Sequence, residues 1–287
     1  MKKIDFVKML ASGNDFVITE LRTSAAGGSA FGGKNSELRN LAKKVCDRIY
    51  GVGADGLLVL EKSLPVRQAG RIADIMMRIF NADGSEAEMC GNGARCAALY
   101  AIRYTLYAKE NIRIETRAGV IEARVNGDNV KIKLTDPKNI KLDIPIRVRN
   151  RLLKVNFINT GVPHTVIFVE GLSKIDVEEI GKGIRHHKEF KPQGTNVNFV
   201  EVLSSNSIKV RTYERGVEDE TLACGTGSVA AALISGVRCQ VSGVRKMNVH
   251  THGGEVLKVY FDRVGNSFKN VWLEGKVKIV YTGVYYV

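Results

Sequence analysis

FNADGSEAEMCGNGARCAALYAI, residues 80–102, and YERGVEDETLACGTGSVAAALI, residues 213–234, are two versions of one phrase. In each, a strand-like run ends in a polar turn, a cysteine follows, and an alanine-rich helix begins. With Cys90 laid over Cys224, Glu86 lies over Glu220, Gly91 over Gly225 and Gly93 over Gly227, while Ala97, Ala98 and Leu99 lie over Ala231, Ala232 and Leu233. The repeat also places Glu214 over Asn81. It reaches further out: Gly13-Asn14-Asp15 joins two strand-like runs, as does Gly161-Val162-Pro163-His164, and residues 51–60 have a counterpart in 194–203. Two similar halves each supply a loop, a strand and a Cys-Gly-x-Gly helix start.

Short runs rich in β-branched residues predict strands at 4–8, 16–19, 57–60, 75–80, 112–116, 120–125 and 130–134. A second series follows at 155–159, 165–169, 197–202, 208–213, 247–251, 256–261 and 271–280. Helices are fewer. Leu38, Leu41, Ala42, Val45 and Ile49 have helical spacing, which predicts a helix over 36–50 with Ser36 as a candidate N-cap. Others are expected at 94–107, 176–184 and 228–237. This is an α+β pattern, not strict βαβ alternation. The stretch 136–145, with two prolines and several lysines, reads as the boundary between the halves.

A helix N-terminus offers backbone N–H groups without intrahelical partners and the positive end of the macrodipole. Glycines after the cysteine let a ligand approach that backbone closely. The same field is expected to lower the thiol pKa. One such site suits anion binding. Two could hold a carboxylate and set one sulfur on each side of its α-carbon, a thiolate removing the proton from one face and a thiol donating from the other. A lone cysteine before an alanine-rich helix is more often a small buried hydrophobe, and a lone CGxG lacks the lysine of a phosphate loop. The repeat of thiol and glycines together reverses those odds. Cys46, Cys96 and Cys239 lack this context and are assigned to packing.

Composition narrows the remaining classes. At 287 residues, with 44% apolar and 25% charged residues, the chain is that of a folded protein with room for two domains. No apolar run approaches a membrane span or a signal sequence, so a cytoplasmic location is expected. Five cysteines without a C-x-x-C pair argue against a disulfide framework, and no metal-ligand spacing occurs, so no metal is expected. A net charge of +13 invites a nucleic-acid-binding alternative. The basic residues are dispersed, with modest clusters at 34–48 and 147–154 and no aromatic-basic RNA motif, which favours a solvated lysine-rich surface.

The residues resemble the diaminopimelate epimerase family almost end to end. KMLASGNDFVI near the start, GVGADG at 51–56, the two cysteine phrases, TGVPH, GTNVNF and the closing LEGKVKIVYTG all carry the likeness. The wider proline racemase-like group shares the two-thiol plan without the NADGSE phrase. A racemase of proline or hydroxyproline type is therefore the rival within the enzyme class. The resemblance implies two pseudo-symmetric domains, each a strand-rich sheet around a central helix. Residues 1–134 with 274–287 would form one and 135–273 the other, with the active site in the cleft between them. It implies cofactor-independent interconversion of LL- and meso-2,6-diaminopimelate, in lysine or peptidoglycan precursor synthesis, by a homodimer. Cys90 and Cys224 match the acid/base thiols, with His164 and Glu214 tuning them. Gly91, Asn92, Gly225 and Thr226 match the carboxylate cradle, and Asn14, Asn81, Asn196, Glu214 and Arg215 match substrate-binding positions. Arg215 suits a distal carboxylate, which a guanidinium grips bidentately. Val162 stands where many members have asparagine and Gly56 where some have glutamine; both departures bear on the distal end.

Overall fold

The computed structural model describes residues 3–20, 35–62, 73–104, 110–238, 246–265 and 267–287. The chain forms two compact units, one of Met1–Ile132 with Lys276–Val287, the other of Lys133–Gly275.

In the first unit β1 (Lys3–Ala11) and β2 (Asn14–Glu20) form a hairpin. Helix α1 (Asn35–Cys46) leads to β3 (Gly56–Lys62), parallel to β2, and β4 (Ile75–Asn81) returns antiparallel to β3. The chain folds back through β5 (Glu86–Ala87) into α2 (Gly91–Tyr104), then β6 (Asn111–Thr116), parallel to β4. Antiparallel β7 (Gly119–Asn126) and β8 (Asn129–Lys133) follow.

The second unit repeats this order and every pairing sense. Hairpin β10 (Arg151–Asn159) and β11 (Pro163–Phe168) precedes α3 (Val177–Arg185), and β9 (Lys138–Val148) pairs outside β10. Strand β12 (Asn196–Ser204) is parallel to β11, and β13 (Ser207–Glu214) antiparallel to β12. Then come β14 (Asp219–Thr221), α4 (Gly225–Arg238), β15 (Lys246–Thr251), parallel to β13, and the antiparallel pair β16 (Val256–Val264) and β17 (Ser267–Lys276). The closing strand β18 (Lys278–Tyr286) belongs to the first unit, where it pairs with β1.

The composition of α2 and α4 follows from their surroundings. Helix α2 packs against β1, β2, β3, β4, β6 and β7, and α4 against the corresponding β10, β11, β12, β13, β15 and β16. A helix enclosed on all sides has no polar face. Alanines let the strands approach, and residues 92–101 and 227–236 are buried without interruption. Helices α1 and α3 cover the sheets from outside with one apolar face each. Leu38, Leu41 and Val45 meet Leu57, Val59 and Phe80, and Val177 and Ile184 meet Val197, Phe199 and Tyr213.

Four sequence expectations change. Helix α1 stops at Cys46, not at residue 50, because the Asp47 carboxylate accepts the N–H groups of Ile49 and Tyr50, both at 2.8 Å, and turns the chain outward. Ser36 lies inside that helix, which begins at Asn35, and is not its N-cap. The 136–145 stretch is largely strand β9, whose exposed residues show no alternation; Pro145 is tolerated because β9 pairs with β10 on one side only. The run at 271–280 is two strands, broken at Val277, just after the chain passes from one unit to the other at Gly275–Lys276. Short β5 and β14 were not legible. Cys239, Lys34 and residues 105–107 of the expected second helix lie outside the described residues. Among the described residues no helix is long and apolar enough to cross a membrane.

Candidate active site

Cys90 and Cys224 both occupy the N-cap position of their helix. The carbonyl of Cys90 accepts the first helical bond from Ala94 N–H at 2.8 Å, and that of Cys224 accepts from Ser228 N–H at 2.8 Å. Their environments differ. Cys90 is partly exposed; Cys224 is buried, at 7% exposure. The Cys224 sulfur lies 3.6 Å from the Thr226 hydroxyl, accepts the Gly227 amide and faces the Glu214 carboxylate. Gly227 is the third residue of the helix, so the sulfur makes an ordinary capping contact. Burial and then the negative Glu214 push the Cys224 thiol up to about 12. This overturns the expectation of a lowered pKa here: two amide or hydroxyl contacts at a helix end do not offset full desolvation beside a carboxylate. Burial also raises Glu214 itself, opposed by hydrogen bonds from Thr221 (3.0 Å) and Cys224.

The glycines two residues past the first of each helix mark close approach. A Cβ on Gly93 would sit 3.2 Å from the Leu58 side chain and 3.3 Å from that of Ile79. On Gly227 it would sit 2.3 Å from Oδ1 of Asn198.

In the first unit, Asn14 and Asn92 meet. Asn92 Nδ2 donates to Asn14 Oδ1 at 2.7 Å, and Asn14 Nδ2 donates to Asp55 at 3.1 Å. Arg95, fully buried on α2, donates to Asn92 Oδ1 at 2.6 Å and to the Ser12 hydroxyl at 2.7 Å. The two bonded amides are thus held between Arg95, which only donates, and Asp55, which only accepts, and this fixes both orientations. Beyond Asp55, Arg48 bridges to Asp15, and Lys8 pairs with Asp15 at 2.7 Å and donates to the Gly53 carbonyl. Burial would raise the Asp15 carboxyl, but Arg48 and Lys8 outweigh it and hold it at about 2. Asn81 stands apart from this network, exposed at the end of β4, with its amide bonded to Ser85 at 2.9 Å.

In the second unit, Asn196 ties two segments together: Nδ2 donates to the Pro163 carbonyl at 3.0 Å and Oδ1 accepts the Arg215 amide at 2.9 Å. The Arg215 guanidinium donates to the Gln193 carbonyl at 3.1 Å, and Glu214 and Arg215 do not pair with each other. His164 is wholly buried beside Asn198; burial, reinforced by Arg215, pushes its imidazole down to about 3, so the ring is neutral.

Sequence reasoning missed two kinds of residue. One is the supporting network of Lys8, Arg48, Asp55, Arg95, Asn198 and Thr212. The other is a duplicated ion pair: Arg78 grips Glu86 through Nε and Nη2 at 2.9 and 3.1 Å, and Arg211 grips Glu220 in the same way at 2.7 and 2.6 Å. The repeat itself carried the signal for the second, since Glu86 already lay over Glu220. In the strand registers Phe80 faces Glu86 as Tyr213 faces Glu220, so Asn81 and Glu214 do correspond, and the turn after Glu214 is one residue longer. Among the described residues no cluster of three or more His, Cys, Asp or Glu side chains is placed to share a metal ion.

A family profile described as diaminopimelate epimerase matches residues 6–140 and 156–280. The chain is 43% identical over 282 residues to the diaminopimelate epimerase of Aquifex aeolicus, covering 98% of this chain and 97% of that one. It is 41% identical over 269 residues to that of Archaeoglobus fulgidus, covering 90% and 89%. Among solved structures, it is similar to a PhzF-family phenazine biosynthesis protein from Bacillus anthracis, with a TM-score of 0.71, 19% identity and full coverage of both chains. A hydroxyproline epimerase from Agrobacterium vitis aligns with a TM-score of 0.65 at 14% identity, covering 99% of this chain and 92% of that one. At those identities the likeness is one of fold.

Proposed function

The chain belongs to the diaminopimelate epimerase family, and on that premise we propose that it interconverts LL- and meso-2,6-diaminopimelate by a two-thiol mechanism that uses no cofactor. The observation that carries this is the duplicated N-cap thiol, Cys90 and Cys224, each followed by a helix whose first amides have no partner within the helix and suit an anion. One sulfur takes the α-proton as a thiolate, the other returns a proton to the opposite face as a thiol, and the reverse reaction exchanges their roles. Cys224, held protonated by burial and Glu214, is the donor in the resting protein. The negative charge that develops at the α-carboxylate is stabilised by the amides of Gly91, Asn92, Gly225 and Thr226, donors of a kind that elsewhere contribute ~3–4 kcal/mol each. Asn14, Asn81, Asn196, Glu214 and Arg215 read the substrate's amino and distal groups, with Arg215 suited to the distal carboxylate.

Incubation with LL-diaminopimelate in deuterated water tests this directly. Deuterium should enter the α-carbon without any added cofactor, and meso product should accumulate. Absence of exchange at high enzyme concentration would sink the reading, and exchange with proline but not diaminopimelate would move it to the rival substrate.

A further inference from the structure

His164 is buried completely, and its two ring nitrogens are treated differently. Nδ1 lies 3.1 Å from Nδ2 of Asn198, while Nε2 is buried with no hydrogen-bond partner among the described residues. Asn198 decides which nitrogen bears the proton. Its Nδ2 also lies 3.0 Å from the Thr165 carbonyl, which can only accept, so this end of the amide is the NH2. Its Oδ1 accepts from the Thr212 hydroxyl at 3.0 Å. A flipped amide would set two acceptors against each other at Thr165. The second Asn198 hydrogen therefore points at Nδ1 of His164, and a neutral ring whose Nδ1 accepts carries its proton on Nε2.

Asn198 is also the residue against which the thiol loop closes, since Gly227 has room for no Cβ beside its Oδ1. The matching pair in the first unit is apolar: Leu58 faces Ile79 across β3 and β4 as Asn198 faces Thr212 across β12 and β13. A buried polar pair is tolerated only where its donors and acceptors are met. The second unit meets them, and one of the groups so engaged is the His164 ring.

We propose that Asn198 is a positioning residue that fixes His164 as a permanent Nε2–H donor, so that His164 stabilises an anionic sulfur or oxygen during epimerisation and itself takes no proton. The identity of the acceptor rests on the proposed epimerase reaction; the tautomer does not.

The test reads the ring directly. In the 15N-labelled full chain, with His164 assigned by loss of its signals in His164→Gln, wild type should show a protonated Nε2 and a bare Nδ1 unchanged from about pH 5 to pH 9, the range over which an ordinary histidine titrates. A protonated Nδ1, or a ring that titrates there, would overturn the proposal. Asn198→Asp keeps the shape but offers Nδ1 an acceptor, so the proton should move to Nδ1 and kcat should fall on the order of 10²-fold, the scale of one lost transition-state donor, with KM little changed. Unchanged kcat in a protein whose tautomer has switched would also overturn it. The double variant Asn198→Leu/Thr212→Ile installs the first unit's residues; it should fold, release the tautomer to a mixture and lower kcat without a matching change in KM. A wild-type level of kcat there would count against the proposal. Shift of the Nε2–H signal in Cys224→Ala without substrate identifies sulfur as acceptor. A shift only on adding LL-diaminopimelate identifies the carboxylate, and no shift in either case removes the donor role. Because the tautomer is read without substrate, a correct tautomer in a protein with no deuterium exchange would sink the epimerase reading alone.

Discussion

The first and second thiol sites stand at equivalent places in two copies of one fold, yet they are supported by opposite chemistry. Behind Gly93 lie the hydrocarbon ends of Leu58 and Ile79; behind Gly227 lies the amide of Asn198, bonded to Thr212, Thr165 and His164. Cys90 is partly exposed and its helix start is joined to a charged network through Asn92 and Asn14. Cys224 keeps its proton first through burial and then through the Glu214 carboxylate beside it. A shared backbone thus gives both cysteines the same place at a helix start, while the residues behind them differ, and burial with Glu214 raises the proton affinity of Cys224. In the proposed reaction, which needs one thiolate and one thiol at the same moment, a thiol held protonated suits the donor's part.

The comparison is broken most severely by removing either sulfur. Cys90→Ala and Cys224→Ala should each lower epimerisation by at least about 10³-fold, within the range general acid–base groups contribute; ordinary turnover in either variant, measured by α-proton exchange with product analysis, would refute the two-thiol scheme. Adding a methyl behind each thiol sharpens it. Gly227→Ala drives a Cβ into Asn198 and should cost about 1–3 kcal/mol of stability along with most of the activity. Gly93→Ala meets only side-chain ends that can shift, and should cost less on both counts. Equal losses would show that the polar support is irrelevant.

A charge change separates the sites more finely. Glu214→Gln removes the carboxylate that raises Cys224, so the thiol pKa falls and the thiolate fraction at pH 8 rises about tenfold for each unit of the fall. Alkylation of Cys224 should accelerate accordingly while Cys90 is unaffected. Stability carries the same sign: a thiol whose folded pKa is raised favours the folded state below its unfolded value of about 8.5, and that advantage is lost as pH climbs toward 12. Cys224→Ala should therefore show a shallower alkaline loss of stability than wild type; a steeper one would contradict the assignment. The smallest effect is expected at the duplicated ion pair. Arg78→Lys and Arg211→Lys each lose a bidentate grip and should cost about 1 kcal/mol. Arg211 should cost the more of the two, since its Nη1 also donates to the carbonyls of Leu172 and Ile175.

What could be read in advance followed physical lines. Strands with alternating or continuous apolar residues were visible, as β7 shows with Ile121, Ala123 and Val125 buried in turn. β9 was hidden because nearly all its side chains face solvent, which leaves no period to detect. The end of α1 was misplaced because Ile49 continues the apolar spacing, although a single carboxylate at Asp47 turns the chain. Among candidate site residues, those inside the repeated phrases could be picked out along the chain. Asn198 did not, since a polar residue in an apolar strand looks like an interruption until its partners are known.

The sequence by itself determined that the fold is built twice, that a thiol and two glycines begin a buried helix in each half, and that those two helix starts are the candidates for the chemistry. Repetition and local capping rules are written along the chain, so they can be read from it. Only the tertiary structure decided how the two thiols differ. Burial, the approach of Glu214 to Cys224, and the Asn198 amide between Thr165, Thr212 and His164 arise from segments far apart in the chain. Desolvation and hydrogen bonding act through space, and those are the forces that set a proton's place.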